Sequence, residues 1–149
     1  GWRDFFQNAE ITGIDIADDY MFTEERIETI KLSSTYKFVC DFTLKDKTFD
    51  IFLDDGWHLA DAQLATIQNF FPRVIDGGYY IVEDIGGGGD DKQLTNHHNP
   101  ELMAVIGLHE WYYRGNVLIV CKNHSMFKEM GRNGYGLPAR EFQPLVKRK

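Results

Sequence analysis

The sequence predicts an α/β fold with a mixed β-sheet. Short apolar runs of strand length begin at Ile11, Phe49 and Tyr79, and segments with a helical spacing of apolar residues alternate with them. Farther along, two runs rich in aromatic and β-branched residues are separated only by Arg114 to Asn116, which is typical of an antiparallel hairpin. Strand–helix alternation that ends in a hairpin indicates a sheet with both parallel and antiparallel pairs.

The composition fits a globular domain and excludes several classes of protein. With 149 residues, 43% of them hydrophobic, the chain can bury a core, and we expect residues 1–149 to form a single domain. The formal charge of −7 argues against nucleic-acid binding, because phosphate contacts need a basic surface. No apolar run approaches the roughly 20 residues of a membrane span, and the first residues lack the pattern of a signal peptide. With only two cysteines, these features predict a reduced, cytoplasmic protein that does not bind membranes.

The first part of the chain predicts a strand, a helix and an ambiguous segment. The stretch ITGIDIAD, which begins at Ile11, has the apolar character of a short buried strand. Thr23 is followed by two glutamates, so we expect it to cap a helix that begins there. The segment from Ile30 to Phe42 is ambiguous, and we expect another strand and an irregular or helical crossover in it.

The middle of the chain predicts one strand–helix–strand unit. Phe49 to Leu53 is a largely apolar strand, and His58 to Val74 has the spacing of a helix whose regular part ends near Pro72. Asp76 to Gly78 is expected to form a turn, and Tyr79 to Val82 the next strand.

The last part predicts a loop, a helix and the hairpin. Gly86 to Asp91 contains four consecutive glycines, so we expect a flexible loop. Asn99 and Pro100 have the residue types that begin a helix, and His109 to Tyr113 and Val117 to Cys121 form the hairpin strands.

Two motifs at the ends of the strand–helix–strand unit carry the chemistry. DIFLDDGWH ends in acids and His58, and YYIVED ends in Glu83 and Asp84. Because the carboxyl ends of parallel strands meet at the same crevice, Asp55, Glu83 and Asp84 are expected to converge there. Three carboxylates suit Mg²⁺ or another hard divalent cation, and His58 is placed to act as a general base.

Each residue also has an ordinary structural explanation. Asp55 could cap the helix that follows it, Glu83 and Asp84 could begin a solvated loop, and His58 could be a surface histidine. The pair His97 and His98 fits a polar loop better than the same site. Only the combination of the acids and the histidine at neighbouring strand ends favours a site.

Asp15 is a separate candidate. It lies at the end of the ITGIDI strand, where an acid can accept hydrogen bonds from both hydroxyls of a nucleotide ribose. One acid at a strand end is a weak signal by itself.

From about Trp2 to Lys122, the motifs WRDFFQNAEITGIDIAD, FDIFLDDGWH and YYIVEDI resemble class I S-adenosylmethionine-dependent methyltransferases. The last two are most similar to the metal-dependent sugar O-methyltransferases of macrolide biosynthesis (the mycinamicin type) and to the cephalosporin-hydroxylase-like group. The resemblance implies a Rossmann-like methyltransferase fold and Asp15 as the ligand of the cofactor ribose. It also implies Mg²⁺ held by Asp55, Glu83 and Asp84, and His58 as the base that deprotonates a hydroxyl of a small, sugar-like substrate.

Two departures from that family modify the expectation. The family's first strand and its glycine-rich turn have no counterpart here, so we expect an N-terminally truncated domain whose sheet lacks a central strand. Such a gap would favour a homo-oligomer, because it exposes unpaired backbone groups. SSTYK at Ser33 to Lys37 replaces the family's acidic adenine-side motif. The alternatives to a methyltransferase are therefore a non-catalytic binding module of the same fold and a hydroxylase-type relative.

Overall fold

A computed structural model describes residues 1–85, 100–114 and 116–123. The chain divides into two compact units, Gly1–Lys45 and Asp46–Lys149, which are described separately. The glycine loop that begins at Gly86, the pair His97 and His98, and the segment after Asn123 lie outside the described residues. No helix of the described ranges has the length and apolar character needed to cross a bilayer.

The first unit contains helix α1 (Trp2–Phe5), strands β1 (Ile11–Asp15), β2 (Thr23–Glu24) and β3 (Ile27–Lys31), and helix α2 (Lys37–Leu44). Its three strands form a sheet in the order β1-β3-β2, with β1 and β3 parallel. The predicted first strand is confirmed, and the ambiguous segment contains the end of β3 and most of α2.

The helix predicted at Thr23 is wrong. Thr23–Glu24 instead form β2, which pairs antiparallel with β3 through Thr23 with Glu28 and Glu24 with Ile27. Arg26 adopts a φ of 60° in the tight connection between these strands. Its guanidinium donates to the carbonyl oxygens of Phe6, Ala9 and Arg3 at 3.0, 3.2 and 3.2 Å. These nonlocal bonds hold Arg26 in the hairpin and outweigh the local capping signal.

The second unit contains strands β4 (Phe49–Asp54), β5 (Val74–Val82), β6 (Glu110–Arg114) and β7 (Val117–Cys121), and helices α3 (Ala60–Phe70) and α4 (Pro100–Ile106). The sheet order is β4-β5-β7-β6; β4 and β5 are parallel, and the other pairs are antiparallel. The predicted mixed sheet, the helix at Pro100 and the terminal hairpin are therefore confirmed. The second unit thus has the mixed α/β architecture that the sequence predicted.

The predicted turn at Asp76 to Gly78 is wrong, because β5 continues through it. The strand bends there: Gly77 has a φ of 83°, and the pairing with β4 shifts register between Phe49 and Ile51. A Cβ on Gly78 would lie 2.6 Å from the Asp50 carbonyl oxygen. Glycine thus permits a close approach of two strands that the local sequence predicted as a chain reversal.

The core of the second unit lies between α3 and the sheet. The large apolar residues of α3 and of the 3-10 turn that follows it (Phe71–Arg73) are buried: Leu64, Ile67, Phe70 and Phe71. The ring of Phe52 on β4 lies 4.4 Å from that of Phe70 and stacks at 5.0 Å on that of Tyr80. This aromatic column fixes α3 and therefore the segment between β4 and α3, which holds the candidate site.

Candidate active site

The site lies where parallel strands β4 and β5 end side by side. Asp54 pairs with Val82 in the last register position, and the Glu83 amide donates to the Asp54 carbonyl at 2.9 Å. Asp55 follows Asp54 and Asp84 follows Glu83, so both residues leave the sheet at the same edge. Helix α3 begins two residues later than His58, so His58 lies in the connection and not in the first turn.

Three of the predicted residues converge. Asp55, His58 and Asp84 each offer a ligand atom, and these atoms all lie within 4.8 Å of one another. The His58 Nε2 atom is 3.4 Å from Asp55 Oδ1, and it is buried with no hydrogen-bond partner among the described residues. The Asp55 side chain is 59% exposed, so the group is open to a ligand on that side.

Glu83, the fourth predicted residue, is not a member of this group. Its backbone is fixed on both sides: the amide donates to Asp54, and the carbonyl accepts from Gln63 Nε2 at 3.0 Å. Gln63 is 2% exposed on α3, and within the described part of the chain its buried Oε1 atom has no hydrogen-bond partner. No signal in the sequence indicated Gln63, because its role depends on a contact with Glu83, 20 residues away.

Asp54, the last residue of β4, supports the group formed by Asp55, His58 and Asp84. It is 5% exposed, and its carboxylate accepts hydrogen bonds from the Gly56 amide and the Tyr80 hydroxyl, both at 3.3 Å. Burial raises the pKa of Asp54 to about 6, although both hydrogen bonds act in the opposite direction. Burial and the neighbouring Asp54 raise the pKa of Tyr80 well above its ordinary value, so the phenol keeps its proton and remains a donor. Asp54 thus fixes the short segment from Asp54 to Gly56 that carries Asp55.

Asp84 is held by the hairpin. Its Oδ1 atom accepts a hydrogen bond from the side-chain amide of Asn116, in the connection between β6 and β7. Asp84 lies two residues beyond the end of β5 and has a φ of 49°, in the left-handed region. Sequence reasoning placed Asn116 in a hairpin turn but gave no signal that it contacts a site residue.

The donor set fits a divalent cation. Two atoms bound to one ion cannot be farther apart than twice the ion–ligand distance, which is about 4.2 Å for Mg²⁺ and about 5 Å for Ca²⁺. The carboxylate oxygens of Asp55 and Asp84 lie within 4.8 Å of each other, which is near these values, so only small movements are needed for both to bind one ion. Among the described residues, no group donates to or accepts from His58 Nε2, so this atom can still exchange a proton with a bound hydroxyl.

Asp15 is the last residue of β1, as predicted, and belongs to the first unit. Its Oδ1 atom accepts from the Ala17 amide at 2.8 Å, which fixes the carboxylate at the strand end. Asp15 lines a groove of about 420 Å³ together with Ile14, Tyr20 and Met21. An acid and an aromatic ring in one groove are suited to a ribose and an attached base.

Sequence and structural similarities relate part of the chain to known O-methyltransferases. No family model matches the chain. An 85-residue segment is 34% identical to 8-demethyl-8-(2-methoxy-alpha-L-rhamnosyl)-tetracenomycin-C 3'-O-methyltransferase of Streptomyces olivaceus, covering 56% of this chain and 22% of the relative. A segment of the same length is 34% identical to mycinamicin VI 2''-O-methyltransferase of Micromonospora griseorubida, covering 56% of this chain and 21% of that protein. The aligned segments therefore span only about a fifth of these relatives.

A solved structure covers more of the chain. MycE methyltransferase from the mycinamycin biosynthetic pathway, in complex with Mg and SAH, matches with a TM-score of 0.67 and 25% identity over 83% of this chain and 40% of MycE. A second MycE complex, with Mg, SAH and mycinamycin VI, matches with a TM-score of 0.68 and 24% identity over 93% of this chain and 41% of MycE. The chain thus has the Rossmann-like methyltransferase fold, and it resembles the class I S-adenosylmethionine-dependent O-methyltransferases of the mycinamicin sugar type.

Proposed function

We propose that this protein takes part in the transfer of a methyl group from S-adenosylmethionine to a hydroxyl of a sugar-like or polyol small molecule, with the help of a divalent cation. The convergence of Asp55, His58 and Asp84 at the ends of β4 and β5 is the observation on which the proposal depends. The similarity to sugar O-methyltransferases over 85 residues supports it. The structure of a relative that holds Mg and SAH supports the choice of Mg²⁺ and S-adenosylmethionine.

Each predicted residue has a role in this proposal. Asp55 and Asp84 hold the cation, and Glu83 provides a third carboxylate once its side chain turns toward them. When bound, the cation acidifies and orients a substrate hydroxyl. His58 accepts the hydroxyl proton at Nε2 and later releases it to solvent. The substrate oxygen then forms a bond to the methyl carbon while the carbon–sulfur bond breaks. The electron pair of the broken bond stays on sulfur.

The methyl donor needs its own contacts. Asp15 accepts hydrogen bonds from the ribose hydroxyls of S-adenosylmethionine, as an acid at such a strand end does in nucleotide-binding folds. No covalent intermediate with the protein is required, so the rate depends on holding the acceptor oxygen in line with the methyl carbon and sulfur.

Calorimetric titration of the chain with S-adenosylmethionine and with its demethylated product, in the presence and absence of Mg²⁺, tests the proposal. We expect heat from both ligands, and transfer of a labelled methyl group to a rhamnosylated acceptor that requires the divalent cation. His58→Gln should abolish transfer but leave the binding of the methyl donor within about twofold of wild type.

Absence of heat from either ligand would refute the enzymatic proposal and favour the alternative, a non-catalytic binding module. Donor binding without methyl transfer, combined with metal-dependent oxygen consumption, would instead favour a hydroxylase-type relative. Asp15→Asn should weaken the binding of the methyl donor, whereas a change at the metal site should not. Donor binding therefore separates a failure of the donor site from a failure of the metal site.

A further inference from the structure

We propose that Asn116 is a positioning residue of the metal site: its side-chain amide orients Asp84 for the cation. This inference rests on the proposed metal-dependent function. The Asn116 amide donates to Asp84 Oδ1, and the Asn116 carbonyl accepts from the Ile85 amide at 2.9 Å. One residue of the β6–β7 connection therefore contacts both the candidate ligand and the backbone just after it.

Asp84 needs this support because its backbone is unusual. A φ of 49° lies in the left-handed region, which is uncommon for residues other than glycine, and a polar side chain such as that of aspartate adopts it with the help of hydrogen bonds. Ile85, the next residue, is 5% exposed and anchors the segment in the core. The buried Ile85 and the two hydrogen bonds with Asn116 thus hold Asp84 where its carboxylate lies within 4.8 Å of the ligand atoms of Asp55 and His58.

The chemistry of the amide suits this role. A neutral donor fixes one carboxylate oxygen without cancelling the negative charge that attracts a cation, whereas a lysine or arginine there would repel the ion. The carboxylate retains lone pairs for a metal, since each oxygen can accept more than one contact. Hydrogen bonds to ligating carboxylates are a recurring part of metal sites, and their removal typically costs about 10- to 100-fold in metal affinity.

The chain offers a matched control at the opposite end of β7. Asn123 donates from its side-chain amide to Asp76 Oδ1 at 2.8 Å, and both residues are exposed. Asn123→Ala therefore removes the same kind of bond as Asn116→Ala, at a comparable exposure, but away from the candidate ligands.

The test measures the Kd for Mn²⁺ by electron paramagnetic resonance of the free ion, with the full 149-residue chain. We expect Asn116→Ala to weaken Mn²⁺ binding about 10- to 100-fold and Asn123→Ala to change it less than twofold. Asn116→Ser serves as a second variant, because serine is also favoured in turns while its hydroxyl is too short to replace the amide. Methyl transfer by Asn116→Ala should recover at saturating metal, as loss of affinity alone predicts.

The outcomes separate this inference from the function on which it rests. If wild type binds Mn²⁺ and both Asn116 variants bind it equally well, the positioning role is refuted and the proposed function stands. If the Asn116 variants only lower thermal stability, as Asn123→Ala does, Asn116 is merely structural and the inference fails. If wild type binds no divalent cation, the proposed function itself is refuted.

Discussion

Asp55→Asn should change stability in opposite directions with and without a divalent cation. In the metal-free protein, Asp55 and Asp84 place two negative charges within 4.8 Å of each other. Coulomb's law gives a repulsion of about 0.9 kcal/mol in a water-like medium and about 3.5 kcal/mol at an effective dielectric constant of 20. Because the Asp55 side chain is 59% exposed, the lower value applies. The substitution should therefore stabilise the metal-free protein by up to about 1 kcal/mol at low salt.

With the cation present, the order should reverse. A tenfold excess of Mg²⁺ over its Kd stabilises wild type by about 1.4 kcal/mol, since the ion binds only the folded state. Asp55→Asn lacks one of the ligands and should gain little at the same concentration. Urea unfolding in EDTA and in Mg²⁺, at pH 8 and low ionic strength, measures both effects.

Asp46→Asn is the matched control, because Asp46 is an exposed acid outside the group and its substitution changes the net charge equally. It should leave the Mg²⁺ effect at its wild-type size. The reasoning is refuted if Mg²⁺, Mn²⁺ and Ca²⁺ all leave wild-type stability unchanged, or if Asp55→Asn gains as much from them as wild type.

Three further predictions concern the structure that supports the site. Lys122 donates to the carbonyls of Phe71, Pro72 and Val74 at 3.3, 3.0 and 2.6 Å. Lys122→Met should therefore lower the free energy of unfolding by about 2–4 kcal/mol in urea titrations, and a loss below about 0.5 kcal/mol would contradict this. Gly78→Ala would place a Cβ 2.6 Å from a backbone carbonyl oxygen and should lower the free energy of unfolding by about 1–3 kcal/mol or more. An unchanged urea midpoint would count against the close approach of the two strands. Burial and the charge of Lys122 lower the pKa of His109, so the folded state opposes its protonation. This contribution to stability is complete above the ordinary histidine pKa of about 6.5, and it is lost as the pH falls through the lower pKa of His109 in the folded state. His109→Gln should therefore flatten the decrease in urea midpoint between pH 7.5 and 5.5.

Several elements of the fold could be predicted because their signals are local. β4 and α3 follow from apolar spacing, and β6 and β7 from two β-rich runs with a short connection. The helix predicted at Thr23 failed because pairing with β3 and the bonds of Arg26 involve residues distant in the sequence. The turn predicted at Gly77 failed for a related reason: whether glycines reverse a strand or bend it depends on the neighbouring strand, here β4.

The sequence by itself determined which residue types could form a site and at which strand ends they lie. Asp55, His58 and Asp84 were identified because parallel strands place their carboxyl ends at one edge, and this geometry follows from chain order. Only the tertiary structure decided the direction of each side chain. The left-handed backbone of Asp84, its bond to Asn116 and the burial of Gln63 beneath Glu83 depend on contacts between residues 20 to 32 positions apart. Such contacts leave no periodic trace in the sequence, because a single hydrogen bond constrains a single pair of residues and not a pattern.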